Sequence, residues 1–173
     1  MNSSFLLVVA GAGMLLAGCA TFNPGLVLEA VGPGPASVSR SAATNGTLAV
    51  YSAHEVNADF NARDPRRPEY SDYRIYSADG QLWREIHNNS GTMFQRPQRV
   101  ELPPGSYRVT APANGYGWVT VPVIICAGRD TILHLEGGFS WPAQSGFNQT
   151  NAVRLPDGEI VGWKGSVNLK PAL

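Results

Sequence analysis

The chain has 173 residues, an ordinary length for one domain, and 43% of them are hydrophobic, which is enough to form a core. Its 13 Lys and Arg side chains balance 13 Asp and Glu side chains. Because no net charge draws the chain toward polyphosphate, we expect no nucleic-acid partner. The 19 glycines and 13 prolines favour tight turns between short strands and disfavour long helices, so the composition predicts an all-β fold.

Residues 1–18 have the features of a signal peptide. An uncharged apolar run from Phe5 to Ala17 is too short to cross the hydrocarbon core of a bilayer, which needs about 20 helical residues. Its length and the small residues that end it predict cleavage before Cys19, although the opening MNSSF contains no Lys or Arg. The alternative is an uncleaved helix in which Cys19 is an ordinary small apolar residue.

The tetrapeptide Leu16-Ala17-Gly18-Cys19 resembles, at every position, the lipobox of bacterial lipoproteins. The resemblance implies a diacylglyceryl group on the sulfur of Cys19 and a lipid anchor in a membrane. Two or three acyl chains, at about 0.8 kcal/mol per buried CH₂, bind a bilayer far more firmly than one chain does. Ala20 stands where many lipoproteins of the inner membrane carry the Asp that retains them there. The family's behaviour therefore implies a cell-envelope protein at the outer membrane, facing the periplasm.

Cys126 is the second of two cysteines. Once Cys19 is acylated, no intramolecular disulfide can form, so the fold depends on its core. Cys126 ends the apolar run VPVIIC and is predicted to be a buried small side chain rather than a reactive thiol.

Residues 19–45 contain prolines, glycines and small polar residues without a lasting periodicity. They predict a flexible tether that holds the domain clear of the lipid surface. A short strand at residues 26–30 is an open alternative.

Residues 46–136 alternate between apolar and polar residues and are divided by turns, a pattern typical of strands. Turns are predicted at Asp79-Gly80, Asn114-Gly115 and Gly128. Val119, Val121, Val123 and Ile125 are predicted to share one buried side of a strand. Because Pro122 lacks an N–H, this strand is expected at a sheet edge or with a bulge. About seven strands with such turns predict a single two-sheet β-sandwich.

Part of this region resembles the carboxypeptidase regulatory-like family, which has a prealbumin-like sandwich. The shared features are Leu102-Pro103 before Gly105, Tyr107-x-Val109-x-Ala111, Gly115-Tyr116, the Gly128 turn and Thr131-x-Leu133. The match covers about a fifth of the chain, and GTLAVYSAHE lacks the family's Gly-x-Val-x-Asp opening. The resemblance implies a seven-stranded prealbumin-like (Ig-like) sandwich with no activity attached.

Residues 137–173 have a different composition, and a further hairpin is predicted at Asp157-Gly158. The extension either completes the sandwich or forms an appendage.

No motif for catalysis occurs in the sequence: there is no Gly-x-Ser-x-Gly elbow, phosphate-binding glycine loop or His-Glu-x-x-His. We therefore expect a protein that is not an enzyme, with no catalytic residue, cofactor or metal. His54, His87 and His134 lie on different predicted strands, and their convergence on a metal ion is the alternative to dispersed histidines. Arg63, Arg66 and Arg67 predict a solvated loop, with a site for anionic lipid or polymer as the alternative.

Tryptophans offer the main candidate ligand site. Trp83, Trp118, Trp141 and Trp163, with Tyr76 and Tyr116, either fill a core or form a platform for sugar rings. Trp83 is predicted on the face opposite Leu82 and Ile86. The main functional expectation is a non-catalytic interaction or structural module of the cell envelope that binds an envelope protein or cell-wall polymer. The alternative is a carbohydrate- or peptidoglycan-binding module in which Trp83 and Trp118 contact the ligand.

Overall fold

The computed structural model describes residues 24–33, 45–56, 68–88, 96–137 and 146–165. The signal peptide, Cys19, Trp141 and the arginines at 63, 66 and 67 lie outside these ranges. The described residues form twelve strands and no helix: β1 Gly25–Leu26, β2 Gly46–Tyr51, β3 His54–Val56, β4 Pro68–Tyr70, β5 Tyr73–Ser77, β6 Leu82–Ile86, β7 Arg99–Leu102, β8 Gly105–Ala113, β9 Gly117–Ile125, β10 Asp130–His134, β11 Ala152–Arg154 and β12 Ile160–Lys164. A helix long and apolar enough to span a bilayer is therefore absent from this part of the chain.

Ten of the strands form two five-stranded mixed sheets. Sheet 1 has the order β1-β9-β8-β5-β6, and sheet 2 has the order β11-β12-β10-β2-β7. The parallel pairs are β1 with β9 and β10 with β2. Strands β3 and β4 form a separate antiparallel pair.

The two sheets enclose one apolar core, as in a β-sandwich. Val109 and Val121 from sheet 1 and Leu48 and Leu133 from sheet 2 are all fully buried members of the same cluster. The predicted buried row is confirmed, since Val119, Val121, Val123 and Ile125 are each at most 1% exposed. Alternation in the sequence thus places one side of each long strand in the interior.

The predicted turns are confirmed. Gly80, Gly115, Gly128 and Gly158 have φ values of 87°, 85°, 65° and 92°. These left-handed conformations strain any residue with a Cβ, which explains glycine at each turn. The β5-β6, β8-β9 and β11-β12 hairpins follow from them.

Residues 24–33, which we call the N-terminal strap, correct the predicted tether. The strap lies along β9: the Val27 N–H donates to the Thr120 carbonyl and the Val31 N–H donates to the Pro122 carbonyl, each at 2.9 Å. Val27 and Val31 are 1% exposed. The folded part of the chain therefore begins well before residue 46, because these two valines complete the core.

The backbone nitrogen of Pro122, which carries no hydrogen, faces the N-terminal strap. The carbonyls of Thr120 and Pro122 accept from the strap, and the Ile124 N–H donates to the Val31 carbonyl at 2.8 Å. Backbone polar groups of alternate residues point to the same side of a strand, so the Pro122 nitrogen also faces the strap. Because β1 ends at Leu26 and only Val31 pairs again, the strap needs no donor there. The prediction of an edge strand or a bulge is wrong, because β9 lies between β1 and β8 and its register with β8 continues unbroken through Pro122.

The C-terminal extension completes sheet 2. Strand β12 pairs with β10 through Leu133 and His134, and β11 pairs with β12 across the Asp157-Gly158 turn. The structure has twelve strands in its described residues rather than the predicted seven, partly because β1, β11 and β12 lie outside residues 46–136.

A buried polar network joins the ends of the two sheets. The Asn88 amide Nδ2 donates to the Val50 carbonyl and to the Ser52 hydroxyl, each at 2.9 Å, and its Oδ1 accepts from the Gln98 N–H at 3.0 Å. The Ser52 hydroxyl donates to the Ser71 carbonyl at 2.6 Å. Since these polar groups satisfy one another, the network is structural.

Candidate functional site

A groove of about 630 Å³ lies on the outer face of sheet 1. The residues that line it alternate with buried ones along β5, β8 and β9, so the strands themselves direct them away from the core. The lining residues are Pro24, Arg74, Tyr76, Gly80, Arg108, Thr110, Trp118 and Thr120. The groove is therefore built mainly on strands, and only Pro24 and Gly80 of its lining lie outside them.

The floor of the groove carries polar and cationic groups. The hydroxyls of Thr110 and Thr120 are 2.9 Å apart and share a hydrogen bond. Arg74 Nε donates to Glu85 Oε1 at 3.0 Å, and this hydrogen bond raises the pKa of the Arg74 guanidinium. Within the described part of the chain, the exposed Arg108 side chain has no hydrogen-bond or ion-pair partner. Arg74 is thus neutralised, and Arg108 remains available to an anion.

The structure separates the two predicted ligand-binding tryptophans. Trp118 lines the groove, but Trp83 does not. Trp83 contacts the ring of Tyr107 edge-on, with ring centroids 5.8 Å apart. The two tryptophans therefore do not line one groove, and their role in ligand binding stays a prediction.

A bulge in β6 explains the misplacement of Trp83. Ile75 pairs with Arg84, but Tyr76 pairs with Leu82, so Trp83 is the extra residue. A bulge breaks the two-residue alternation on which the sequence prediction rested. Leu82 is consequently 55% exposed although Ile86 is 5% exposed, so the prediction that these two residues share a face is wrong.

The outer face of sheet 2 carries a stack of three rings. The His134 ring lies between Tyr51, at a centroid distance of 4.3 Å, and Trp163, at 4.4 Å. The three residues are register partners on β2, β10 and β12. Trp163 is only 3% exposed, and Phe147 meets its ring edge-on at 6.4 Å. Trp163 therefore acts as a buried packing residue.

A carboxylate and a phenol lie next to this stack. Glu136 Oε1 is 2.8 Å from His134 Nδ1, whereas Glu136 Oε2 is buried and has no hydrogen-bond partner in the part of the chain that the structure describes. Tyr70 contacts the Tyr51 ring edge-on at 5.5 Å. Burial first, and then the nearby Glu136 carboxylate, raise the pKa of Tyr70 from 10.0 to about 12. Sequence reasoning missed this cluster, because its members are far apart along the chain.

The three histidines do not converge. His87 Nδ1 is 2.9 Å from Asp72 Oδ2, His54 contacts the Tyr70 ring at 4.7 Å, and His134 lies within the stack. In residues 24–33, 45–56, 68–88, 96–137 and 146–165, no group of three His, Cys, Asp or Glu side chains is arranged to hold a metal ion.

Cys126 is 2% exposed and forms no disulfide within the described residues. The prediction of a buried small side chain is confirmed.

No protein family, curated protein or solved structure matches this chain.

The groove residues that sequence reasoning overlooked are Arg74 and Arg108. Both alternate with buried residues in YRIYS and GSYRVTAPA, so the alternation already directs them to the outer face. Their proximity depends on the pairing of β5 with β8, where Tyr76 is the partner of Arg108.

Proposed function

We propose that this protein is a lipid-anchored, non-catalytic module of the bacterial cell envelope, held at the outer membrane on its periplasmic side. The observation that carries the proposal is the tetrapeptide Leu16-Ala17-Gly18-Cys19 at the end of a short apolar run. The sandwich supports a binding or structural role, because its outer groove offers an aromatic ring, hydroxyls and a guanidinium on rigid strands.

The prealbumin-like type of the sandwich is part of the same proposal. The stretch that resembles the carboxypeptidase regulatory-like family forms β7 to β10. These strands and turns follow one another in the order that the resemblance implies, and they concern the fold rather than a ligand.

The anchoring proposal is tested by feeding cells an alkyne fatty acid and comparing three proteins. Wild type and Cys126→Ala should both carry the label and float with outer-membrane fractions, because Cys126 is a core residue. Cys19→Ser should carry no label, since its hydroxyl replaces the acylated sulfur. Label on Cys19→Ser, or unlabelled wild type, would overturn the proposal.

A second candidate function is binding of a cell-wall polysaccharide. The groove places Trp118 and Tyr76 beside the hydroxyls of Thr110 and Thr120, and aromatic faces with polar neighbours suit sugar rings. Trp83→Ala is a matched control, since Trp83 lies outside the groove. In sedimentation with purified cell-wall polymer, Trp118→Ala should lose binding and Trp83→Ala should keep it. Failure of wild type to sediment would remove this candidate.

A further inference from the structure

The link between the anchor and the folded domain is short. Pro24 lines the groove on sheet 1 and follows Cys19 by five positions. An extended chain spans at most roughly 3.6 Å per residue, so the two Cα atoms are no more than ~18 Å apart. A nine-residue strand such as β9 is longer than that, at about 30 Å. An acylated Cys19 therefore keeps sheet 1 close to the lipid surface, contrary to the long tether expected from sequence.

The side of the domain nearest the anchor exposes apolar side chains. Leu26 is 52% exposed beside Thr120 on the outer face of sheet 1, and Leu28 is 69% exposed. Val27, between them, is buried, so both leucines point away from the core. Leu82, at the other edge of the same face, is 55% exposed. Large apolar side chains on an outer face gain free energy on entering a lipid interface.

The charges on this side also suit a lipid surface. Glu85 is paired with Arg74, and Glu29 of the strap is paired with Lys164 at 3.3 Å. Arg108 has no such partner in the described residues. A guanidinium binds a phosphate through two parallel hydrogen bonds. Trp118, in the same groove, is a residue type enriched at the level of lipid headgroups.

We propose that the outer face of sheet 1, with Leu26, Leu28, Arg108 and Trp118, docks on the phospholipid headgroups of the membrane that holds Cys19. The inference rests on the proposed acylation of Cys19. The leucines enter the interface, and Arg108 binds a lipid phosphate. The outer face of sheet 2 then points away from the membrane.

The test uses the acylated protein extracted from membranes and reconstituted in vesicles of phosphatidylcholine and phosphatidylglycerol. A fluorophore is attached to Thr120→Cys, on the outer face of sheet 1, or to the matched Thr47→Cys, on the outer face of sheet 2. Cys19 is blocked by its acyl groups and Cys126 is buried, so the new cysteine is the reactive thiol. Lipids with a nitroxide headgroup should quench the label at position 120 several-fold more than the label at 47. Equal quenching, or stronger quenching at 47, would overturn the docking.

Two further variants separate the contributions of the face. Arg108→Gln should weaken the quenching at position 120 and remove its dependence on phosphatidylglycerol, whereas Arg129→Gln, an exposed arginine in the turn after β9, should change neither. Leu26→Ser with Leu28→Ser should reduce the quenching in both lipid mixtures. Circular dichroism checks that each variant is folded.

The outcomes distinguish the inference from the function on which it rests. A sample whose mass lacks acyl groups overturns both the anchoring proposal and the docking. Acylated protein with equal quenching at the two labels overturns the docking alone. Protection of the label at 120 by cell-wall polymer, and not by vesicles, supports the polysaccharide candidate and also overturns the docking.

Discussion

The outer faces of the two sheets carry similar side chains but differ in how they are covered. Trp118 on β9 lines an open groove, whereas Trp163 on β12 is 3% exposed and stacked on His134. Phe147, in the segment before β11, packs against Trp163. An outward-facing aromatic residue is thus a surface residue or a packing residue according to what covers its strand. The ring stack around Trp163 therefore stabilises sheet 2, whereas the groove on sheet 1 is where we propose that binding occurs.

The largest expected effect comes from removing the buried tryptophan of sheet 2. Trp163→Ala should lower the free energy of unfolding by about 3–5 kcal/mol, because it deletes a large buried ring and leaves a cavity. Trp118→Ala should lower it by about 1 kcal/mol or less, as for a groove residue outside the core. Urea unfolding followed by circular dichroism measures both values. Similar losses for the two variants would contradict the contrast between the faces.

The next largest effect distinguishes a packed strap from a free tether. Val27→Ala should destabilise the domain by about 2 kcal/mol, because two buried methyl groups are lost and the site cannot fully close. The control is Leu28→Ala, whose side chain is 69% exposed and which should change stability by less than ~0.5 kcal/mol. Unchanged stability of Val27→Ala in the same urea titration would mean that residues 24–33 do not belong to the core.

A smaller change in the free energy of unfolding, of opposite sign, is expected for a substitution at Tyr73, which lies behind the groove. The Tyr73 side chain is 1% exposed, and its hydroxyl is buried without a hydrogen-bond partner among the described residues. The same burial raises the pKa of Tyr73. Tyr73→Phe removes an unsatisfied polar atom and should stabilise the protein by about 1 kcal/mol. The matched Tyr107→Phe loses a 3.0 Å hydrogen bond to the Pro103 carbonyl and should be neutral or destabilising. A less stable Tyr73→Phe would show that its hydroxyl has a partner.

The smallest effect is a pH dependence on the side of sheet 2. Because burial and Glu136 raise the pKa of Tyr70 from 10.0 to about 12, the unfolded phenol ionises before the folded one. Its contribution to stability is therefore full below pH 10 and is lost as the pH rises toward 12. Solvent screening of this partly exposed group keeps the change modest.

Tyr70→Phe isolates the titration. The variant should flatten the loss of stability in that alkaline range and remove a late-titrating component from the phenolate absorbance. If wild type and Tyr70→Phe lose stability in parallel, the Tyr70 phenol is not responsible.

The sequence predicted features that depend on neighbouring residues. Alternation identified the buried row from Val119 to Ile125, and Asp-Gly and Asn-Gly pairs located the hairpins, because turn chemistry and strand period are local properties. It did not predict the bulge at Trp83, since a bulge depends on the partner strand. The strap was predicted to be part of a tether because its prolines and glycines interrupt any strand periodicity. The burial of Val27 and Val31 follows only from pairing with β9.

In the candidate sites, too, local features were predictable from the sequence and features that depend on strand pairing were not. Arg74 and Arg108 were readable as outward residues, but their meeting in one groove requires the pairing of β5 with β8. The stack of Tyr51, His134 and Trp163 requires three strands from distant parts of the chain to be neighbours. Periodicity in the sequence predicts the sheet face on which a residue lies, whereas the order of the strands determines which residues are its neighbours.

The central claim, that a short link fixes sheet 1 to a membrane, depends on the chemistry of Cys19. Intact mass spectrometry of the protein extracted from membranes tests it most directly. The account predicts a chain that begins at Cys19 and carries a diacylglyceryl group, with or without a further acyl chain. A chain of unmodified mass that still contains residues before position 19 would contradict it.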